Sequence, residues 1–85
     1  MATVVITPAA QAELDLLPLP IRTRVRAVFV RLERWPNVSG AKPLRGDLSG
    51  SFRIRTGDYR VVFRPERAGD RVVVWRIGYR GDVYD

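Results

Sequence analysis

Residues 52–64 read FRIRTGDYRVVFR, a run in which apolar side chains alternate with arginines on either side of Gly57-Asp58. Because successive side chains of a β-strand point to opposite faces, this alternation predicts two strands joined by a tight turn. One face is expected to be apolar and the other basic. The apolar set is Phe52, Ile54, Tyr59, Val61 and Phe63; the basic set is Arg53, Arg55, Arg60 and Arg64. Like charges on neighbouring strands destabilise a sheet, so the basic face predicts an anionic ligand, with RNA as the obvious candidate.

The composition limits the chemistry that this chain can perform. It has 85 residues and a formal net charge of +6, with no cysteine and no histidine. A chain of this length predicts one domain, residues 1–85. Without cysteine or histidine there is no thiol nucleophile and no imidazole base or ligand, and we expect no metal and no cofactor. No signal peptide and no apolar run of about 20 residues is visible, so we expect a cytoplasmic protein without a membrane span.

The basic residues are unevenly distributed along the chain. All of them lie between Arg22 and Arg80, and all except Lys42 are arginine. The planar guanidinium favours bidentate contacts to phosphate and stacking on bases. A high G+C content of the source genome, which raises arginine usage throughout, explains part of this preference, but it does not explain the placement on one face of a sheet.

Two short helices are predicted before the arginine-rich strands. Thr7 offers an N-cap oxygen, Pro8 suits the first helical position, and Pro18 ends this helix. A second helix is predicted over about 20–35, because Pro36 ends an amphipathic pattern. Its apolar stripe consists of Ile21, Val25, Val28, Phe29, Leu32 and Trp35.

The remaining elements are predicted to be strands. They cover about residues 3–6, 51–56, 58–64 and 71–79, with a candidate short strand near Leu44 and a turn at 66–70. In the last strand, Val73, Trp75 and Ile77 are expected to continue the core face. Val74 and Arg76 are expected to join the basic face. The order β-α-α-β-β-β predicts an α+β fold, in which a curved antiparallel sheet packs on an N-terminal helical hairpin.

Three segments together resemble the RelE branch of the RelE/ParE toxin superfamily. They are KPLRG at 42–46, FRIRTGDYRVVF at 52–63 and IGYRGDVY at 77–84. The resemblance covers nearly the whole chain and implies the toxin of a type II toxin–antitoxin system. Such a toxin is a ribosome-dependent endoribonuclease that cleaves mRNA in the A site and so inhibits translation. The resemblance also implies a cognate antitoxin, the ribosome and mRNA as partners.

The resemblance assigns roles to five residues. In the family, the ribose 2′-hydroxyl attacks the adjacent phosphate without a metal. The basic pair on the first hairpin strand falls on Arg53 and Arg55, which would position the RNA backbone. The family's other arginines fall on Arg60 and Arg80, which would hold the scissile phosphate. The terminal tyrosine falls on Tyr84.

The chain departs from the family at the positions that concern proton transfer. The basic pair is often lysine in ribosome-dependent nucleases, whereas here it is Arg53 and Arg55. Arginine does not lose its proton in proteins, so these residues are poor general bases. Many relatives have histidine where this chain has Tyr79. Tyr84 is therefore the candidate base, since neighbouring arginines would lower the pKa of its phenol from the ordinary value of about 10.

Other residues have a binding interpretation and a simpler structural one. Arg45, Arg22 and Arg26 are candidate contacts to RNA on the ribosome. The two helix arginines, Arg22 and Arg26, are also explained by a solvated helix face. Trp35 and Trp75 are expected in the core, with base stacking as the less favoured interpretation.

Alternatives remain open for the site and for the function. Tyr84 is also explained as an aromatic residue packed on the sheet edge, and Arg60 as the ion-pair partner of Asp58 or Asp82. The same fold in a ParE-like toxin would inhibit DNA gyrase. A non-catalytic relative that only binds nucleic acid is the third interpretation.

Overall fold

The computed structural model describes residues 1–80 as one sheet with two helices on one side. The strands are β1 (Thr3–Ile6), β2 (Lys42–Pro43), β3 (Phe52–Thr56), β4 (Tyr59–Glu66) and β5 (Arg71–Tyr79). The helices are α1 (Pro8–Asp15) and α2 (Leu19–Leu32), and single 3-10 turns lie at Gly46–Leu48 and Arg67–Gly69. The predicted α+β class and order of elements are confirmed, including the short strand next to Leu44.

The sheet is mixed rather than wholly antiparallel. Its strand order is β1-β5-β4-β3-β2, and β2 to β5 pair antiparallel. β1 instead runs parallel to β5, from Thr3 opposite Arg71 to Ile6 opposite Val74. The prediction of an antiparallel sheet was wrong for this pair. A parallel pair requires a long crossover connection, and here the helices and the other strands provide it.

Local sequence explains where the helices begin and end. The Thr7 hydroxyl accepts a hydrogen bond from the Ala10 amide at 3.2 Å, as expected of an N-cap. α2 ends at Leu32, earlier than predicted, because the next residues form turns. The Glu33 amide donates to the Val30 carbonyl oxygen at 3.3 Å, and the Trp35 amide donates to that of Leu32 at 3.0 Å. Trp35 is therefore outside the helix although it still packs on the core.

The main core lies between the two helices and one face of the sheet. It includes Leu14, Val25, Phe29 and Leu32 from the helices and Ile54, Val61, Phe63, Val72, Val74 and Ile77 from the strands. Trp35 covers one end of this core. Its ring centroid is 4.9 Å from that of Phe52 and 5.2 Å from that of Phe63. The predicted apolar face of the β3–β4 hairpin therefore packs where it was expected, except for Tyr59, which lies outside this core.

A β-bulge changes which residues of β5 face the core. Phe63 pairs with Val74 while the preceding residue of β4 pairs with Arg76, so Trp75 is an extra residue in β5. Val74 is consequently in the core, and the prediction that it joins the basic face was wrong. Trp75 lies instead in a second cluster, which also comprises Leu44, Leu48 and Val62. Val73 is likewise outside the main core, contrary to prediction.

Candidate nucleic-acid interface

The register of the strands brings five basic residues onto the sheet face opposite the helices. We call this set the arginine face: Lys42, Arg53, Arg55, Arg60 and Arg76. One row across the strands runs from Arg55 through Arg60 to Gly78. The neighbouring row runs from Lys42 through Arg53 and Val62 to Arg76. The predicted grouping of Arg53, Arg55 and Arg60 is therefore confirmed by their register.

The turn between β3 and β4 fixes the first of these rows. Gly57 has a φ of +62°, in the left-handed region that glycine enters without a Cβ clash. The two-residue connection Gly57-Asp58 sets Thr56 opposite Tyr59 and Arg55 opposite Arg60. A slip of one residue would move both arginines into the core face.

Arg60 is the buried member of the arginine face. Its exposed fraction is 5%, and no other charged side chain in residues 1–80 is buried. On one side its cross-strand neighbour is Arg55, and on the other it is Gly78, which has no side chain. Burying a guanidinium costs free energy unless hydrogen bonds and charges compensate it. This guanidinium therefore lies on β4, the middle strand of the sheet, next to one residue of like charge.

Arg64 follows the same alternation but belongs to another part of the surface. It lies at the far end of β4, opposite Val73. Its guanidinium is 3.5 Å from the Glu66 carboxylate. Arg64 therefore has an acidic neighbour of its own and is remote from Arg55 in the register.

Arg80 lies beside the β3–β4 turn, just beyond β5. Its backbone amide donates to the Asp58 carbonyl oxygen at 2.8 Å. Its Nη1 is also 3.9 Å from the Asp58 carboxylate, in an exposed ion pair. Of the two ion-pair partners considered for Arg60, Asp58 contacts Arg80 and Asp82 lies outside residues 1–80. An exposed pair of this kind contributes little free energy, so an incoming phosphate can displace it.

The predicted base cannot be located among the described residues. Tyr84 and Asp82 both lie outside residues 1–80. Tyr79 is described, and its ring is edge-to-face with that of Tyr59 at a centroid distance of 5.6 Å. Alternation along β5 directs it to the side opposite Gly78, away from the arginine face.

The three candidate RNA contacts outside the strands have different surroundings. Arg22 donates to the carbonyl oxygens of Asp15 at 3.3 Å and Leu17 at 3.1 Å, at the C-terminal end of α1. Arg22 thus links α2 to the end of α1. A positive charge at the C-terminal end of a helix also interacts favourably with the helix dipole. Arg26 is exposed on α2, on the helix side of the sheet. Arg45 is exposed and follows Leu44, which packs against the arginine-face side.

Two polar contacts that support the arginine face were not predicted from the sequence. Glu13 Oε2 on α1 is 2.8 Å from Arg76 Nε on β5, and Glu13 Oε1 accepts from the Ile77 amide at 2.8 Å. The Trp75 indole N–H donates to the Ser51 hydroxyl at 3.1 Å. Both contacts join residues that are distant in sequence, so no local sequence pattern predicts them.

Residues 1–80 contain no group of three or more histidine, cysteine, aspartate or glutamate side chains that could hold a metal ion. No helix within the same range has the length and the apolar character needed to cross a membrane.

Comparisons with known proteins agree with the fold and with the arrangement of the strands. A family model described as the ParE toxin of the type II toxin–antitoxin system parDE matches residues 4–84. Toxin RelG of Mycobacterium tuberculosis is 39% identical over 83 residues, which are 96% of this chain and 94% of RelG. Toxin RelE of the same organism is 40% identical over 82 residues, which are 95% of this chain and 84% of that toxin.

Solved structures are similar over nearly the same length. A chain of the M. tuberculosis toxin–antitoxin complex RelBE2 superimposes with a TM-score of 0.81 at 36% identity, covering 95% of this chain and 93% of that one. The isolated Escherichia coli RelE toxin has a TM-score of 0.77 at 21% identity, covering 93% of this chain and 84% of that one, which supports the fold alone. The chain belongs to the RelE/ParE superfamily of type II toxin–antitoxin toxins.

Proposed function

We propose that this toxin is an endoribonuclease that cleaves mRNA in the ribosomal A site and so inhibits translation. The observation that carries the proposal is Arg60, a buried guanidinium at the centre of a basic sheet face. A site that keeps a charge out of water is suited to an anionic transition state, because the attraction between charges is stronger where water is excluded. The similarity to RelE toxins of about 40% identity supports the same reaction class.

The proposed reaction is a phosphoryl transfer within the RNA. The 2′-oxygen of one ribose attacks the adjacent phosphorus, and the bond from phosphorus to the 5′-oxygen breaks. The products are a 2′,3′-cyclic phosphate and a free 5′-hydroxyl, so no water is consumed in this step. Arg60 and Arg80 hold the non-bridging oxygens as negative charge develops on them. Arg53 and Arg55 neutralise and position the neighbouring backbone.

The proton of the 2′-hydroxyl requires a separate acceptor. Arginine keeps its proton, so the arginine face stabilises charge and does not act as the base. We assign that role to Tyr84, with the proton passing to the phenolate as the 2′-oxygen attacks. The departing 5′-oxygen takes a proton from water, and the hydroxide left behind accepts the proton held by Tyr84, which restores the phenolate. The step uses neither a metal ion nor an organic cofactor.

The proposed partners follow from the charge of this surface and from the relatives. RelBE2 is a toxin–antitoxin complex, and we propose a cognate antitoxin for this toxin as well. An acidic segment of the antitoxin would cover the arginine face and block RNA. Arg45 and Arg26 are proposed contacts to RNA of the ribosome, whereas Arg22 is already engaged within the helical hairpin. The proposed site of action is the cytoplasm.

Primer extension on an mRNA in a translating extract tests the function. Breaks that align with codons and require ribosomes are the expected result. The Tyr84→Phe variant removes the acidic hydroxyl and keeps the ring, so it should lose these breaks. Breaks of wild-type intensity with Tyr84→Phe would refute the assignment of the base while leaving the nuclease function in place.

The description of the matching family model favours one second candidate, inhibition of DNA gyrase in the manner of ParE. A supercoiling assay with purified gyrase separates the two functions. Inhibited supercoiling without mRNA breaks would replace the nuclease proposal. Neither effect, together with RNA binding, would indicate a non-catalytic binding protein.

A further inference from the structure

β5 continues beyond the end of its parallel partner. The pairing with β1 ends where Ile6 lies opposite Val74, and the Thr7 amide adds one more hydrogen bond to the Val74 carbonyl oxygen at 3.0 Å. Past this point the β1-facing edge of β5 is next to α1. The Ile77 amide on that edge donates to Glu13 Oε1 at 2.8 Å. A carboxylate from the first helix thus takes the place of a strand carbonyl.

The same carboxylate also contacts a member of the arginine face. Glu13 Oε2 is 2.8 Å from Arg76 Nε, and the two side chains are 31% and 34% exposed. The contact is an ion pair at short distance. Glu13 therefore lowers the repulsion among the arginines while it holds the backbone of the next residue.

These two contacts lie immediately after the β-bulge. A bulge disrupts the ladder locally and bends the strand, so the direction of the following residues needs another constraint. Arg76 and Ile77 are the first two residues after the extra Trp75. Gly78, opposite Arg60, comes next, and Arg80 follows beside the β3–β4 turn. The Glu13 contacts thus join α1 to the part of β5 that leads to Arg80.

We propose that Glu13 is a positioning residue of the RNA site. Through the Ile77 amide it fixes the end of β5, and thereby Arg80, relative to Arg60. Through Arg76 it offsets one positive charge of the arginine face. The link to RNA rests on the proposed nuclease function, whereas the link to the strand end does not.

Two substitutions separate the two contacts. Glu13→Gln keeps an oxygen acceptor for the Ile77 amide and removes the charge that pairs with Arg76. Glu13→Ala removes both contacts. Asp15→Asn is the matched control, because Asp15 is on the same helix and its side chain accepts from the exposed Gln11.

Single-turnover cleavage on ribosomes gives the first measurement. We expect Glu13→Ala to lower the cleavage rate about tenfold with an unchanged half-saturating concentration, since Arg80 is displaced in the reacting complex. Glu13→Gln should keep the rate within about threefold. It should steepen the salt dependence of RNA binding, because the arginine face loses the negative charge next to Arg76. A wild-type rate for Glu13→Ala, or an unchanged slope for Glu13→Gln, would overturn the corresponding part of the proposal.

Amide hydrogen exchange gives a second measurement that needs no RNA. Glu13→Ala should accelerate exchange at Ile77 and Arg80 at least tenfold, whereas Glu13→Gln and Asp15→Asn should not. The Thr7 amide, which bonds to β5 before the bulge, is the internal control. Equal acceleration at Thr7 would indicate general loosening and overturn the positioning role, as would unchanged exchange at Arg80. If the wild-type protein fails to cleave RNA, the nuclease proposal fails while this measurement still decides what Glu13 holds.

Discussion

The two faces of the sheet are made from alternate residues of the same strands, yet they differ in what they contribute. The face under the helices buries Ile54, Val61 and Phe63, and apolar burial is the main source of folding free energy. The opposite face buries Arg60 among other cations and has a small cluster around Val62. One face therefore stabilises the domain. The other face lowers that stability, because it holds like charges close together.

The largest expected effect is on the helix-covered face. Phe63 is fully buried and contacts Trp35 and Phe52, so Phe63→Ala should lower the free energy of unfolding by about 3–5 kcal/mol. Urea denaturation followed by circular dichroism measures the loss. Val30→Ala, on the exposed side of α2, should change it by less than about 0.5 kcal/mol. A loss below about 1 kcal/mol for Phe63→Ala would contradict the assignment of the core.

Arg60→Lys should have the next largest effect, and it should fall on activity. Lysine keeps the charge but loses the planar fork that holds two phosphate oxygens. We expect cleavage on ribosomes to fall about 100-fold, or about 2.7 kcal/mol of transition-state stabilisation. Arg64→Lys on the same strand should leave cleavage unchanged, because Arg64 is exposed and next to Glu66. Equal losses for both variants would show that the burial of Arg60 has no special role.

Ser51→Ala tests the small apolar cluster on the arginine-face side. Ser51 is buried and accepts the indole N–H of Trp75, so the substitution leaves this donor without its partner. We expect the free energy of unfolding to fall by about 1 kcal/mol in urea denaturation. Ser39→Ala is the control, since the Ser39 hydroxyl is exposed and its one contact with Arg31 is long, at 3.5 Å. The prediction is refuted when the two alanine variants are equally stable.

The smallest effects are expected from variants of the two helix arginines, Arg22 and Arg26. They test which of the two has a structural role and which binds RNA. Arg22→Ala removes the hydrogen bonds to the end of α1, so it should lower stability by about 1 kcal/mol without changing the salt dependence of ribosome binding. Arg26→Ala should leave stability unchanged and lower the log–log salt slope by about 0.7, as expected when one phosphate contact is lost. Filter binding of ribosomes at several salt concentrations measures this slope. The reverse pattern would exchange the two roles.

Local signals were sufficient for much of the fold. The N-cap at Thr7, the prolines near the helix ends and the alternation across Gly57-Asp58 each act over a few residues. The corresponding elements form as predicted, except that α2 ends at Leu32 rather than next to Pro36. The same alternation predicted the grouping of Arg53, Arg55 and Arg60 on one face.

The features that could not be predicted depend on contacts between distant segments. The run Val72-Val73-Val74-Trp75 has no alternation, so nothing in it shows where the bulge shifts the phase of β5. The parallel pairing of β1 and the contact of Glu13 with Arg76 join the first part of the chain to the last strand. The position of the bulge, the partner of β1 and the contact of Glu13 depend on packing of the whole domain, and a local sequence pattern does not specify them.

The pairing of β1 with β5 also has a consequence for the order of events during synthesis. β1 is made first, but its neighbour in the sheet is the last strand of the described fold. Contacts so far apart in sequence form late, because a long loop must close before they contribute free energy. Arg60 likewise acquires its Gly78 neighbour only when β5 is in place. A nascent chain therefore contains most of the arginines before it has the arrangement that we propose makes them toxic.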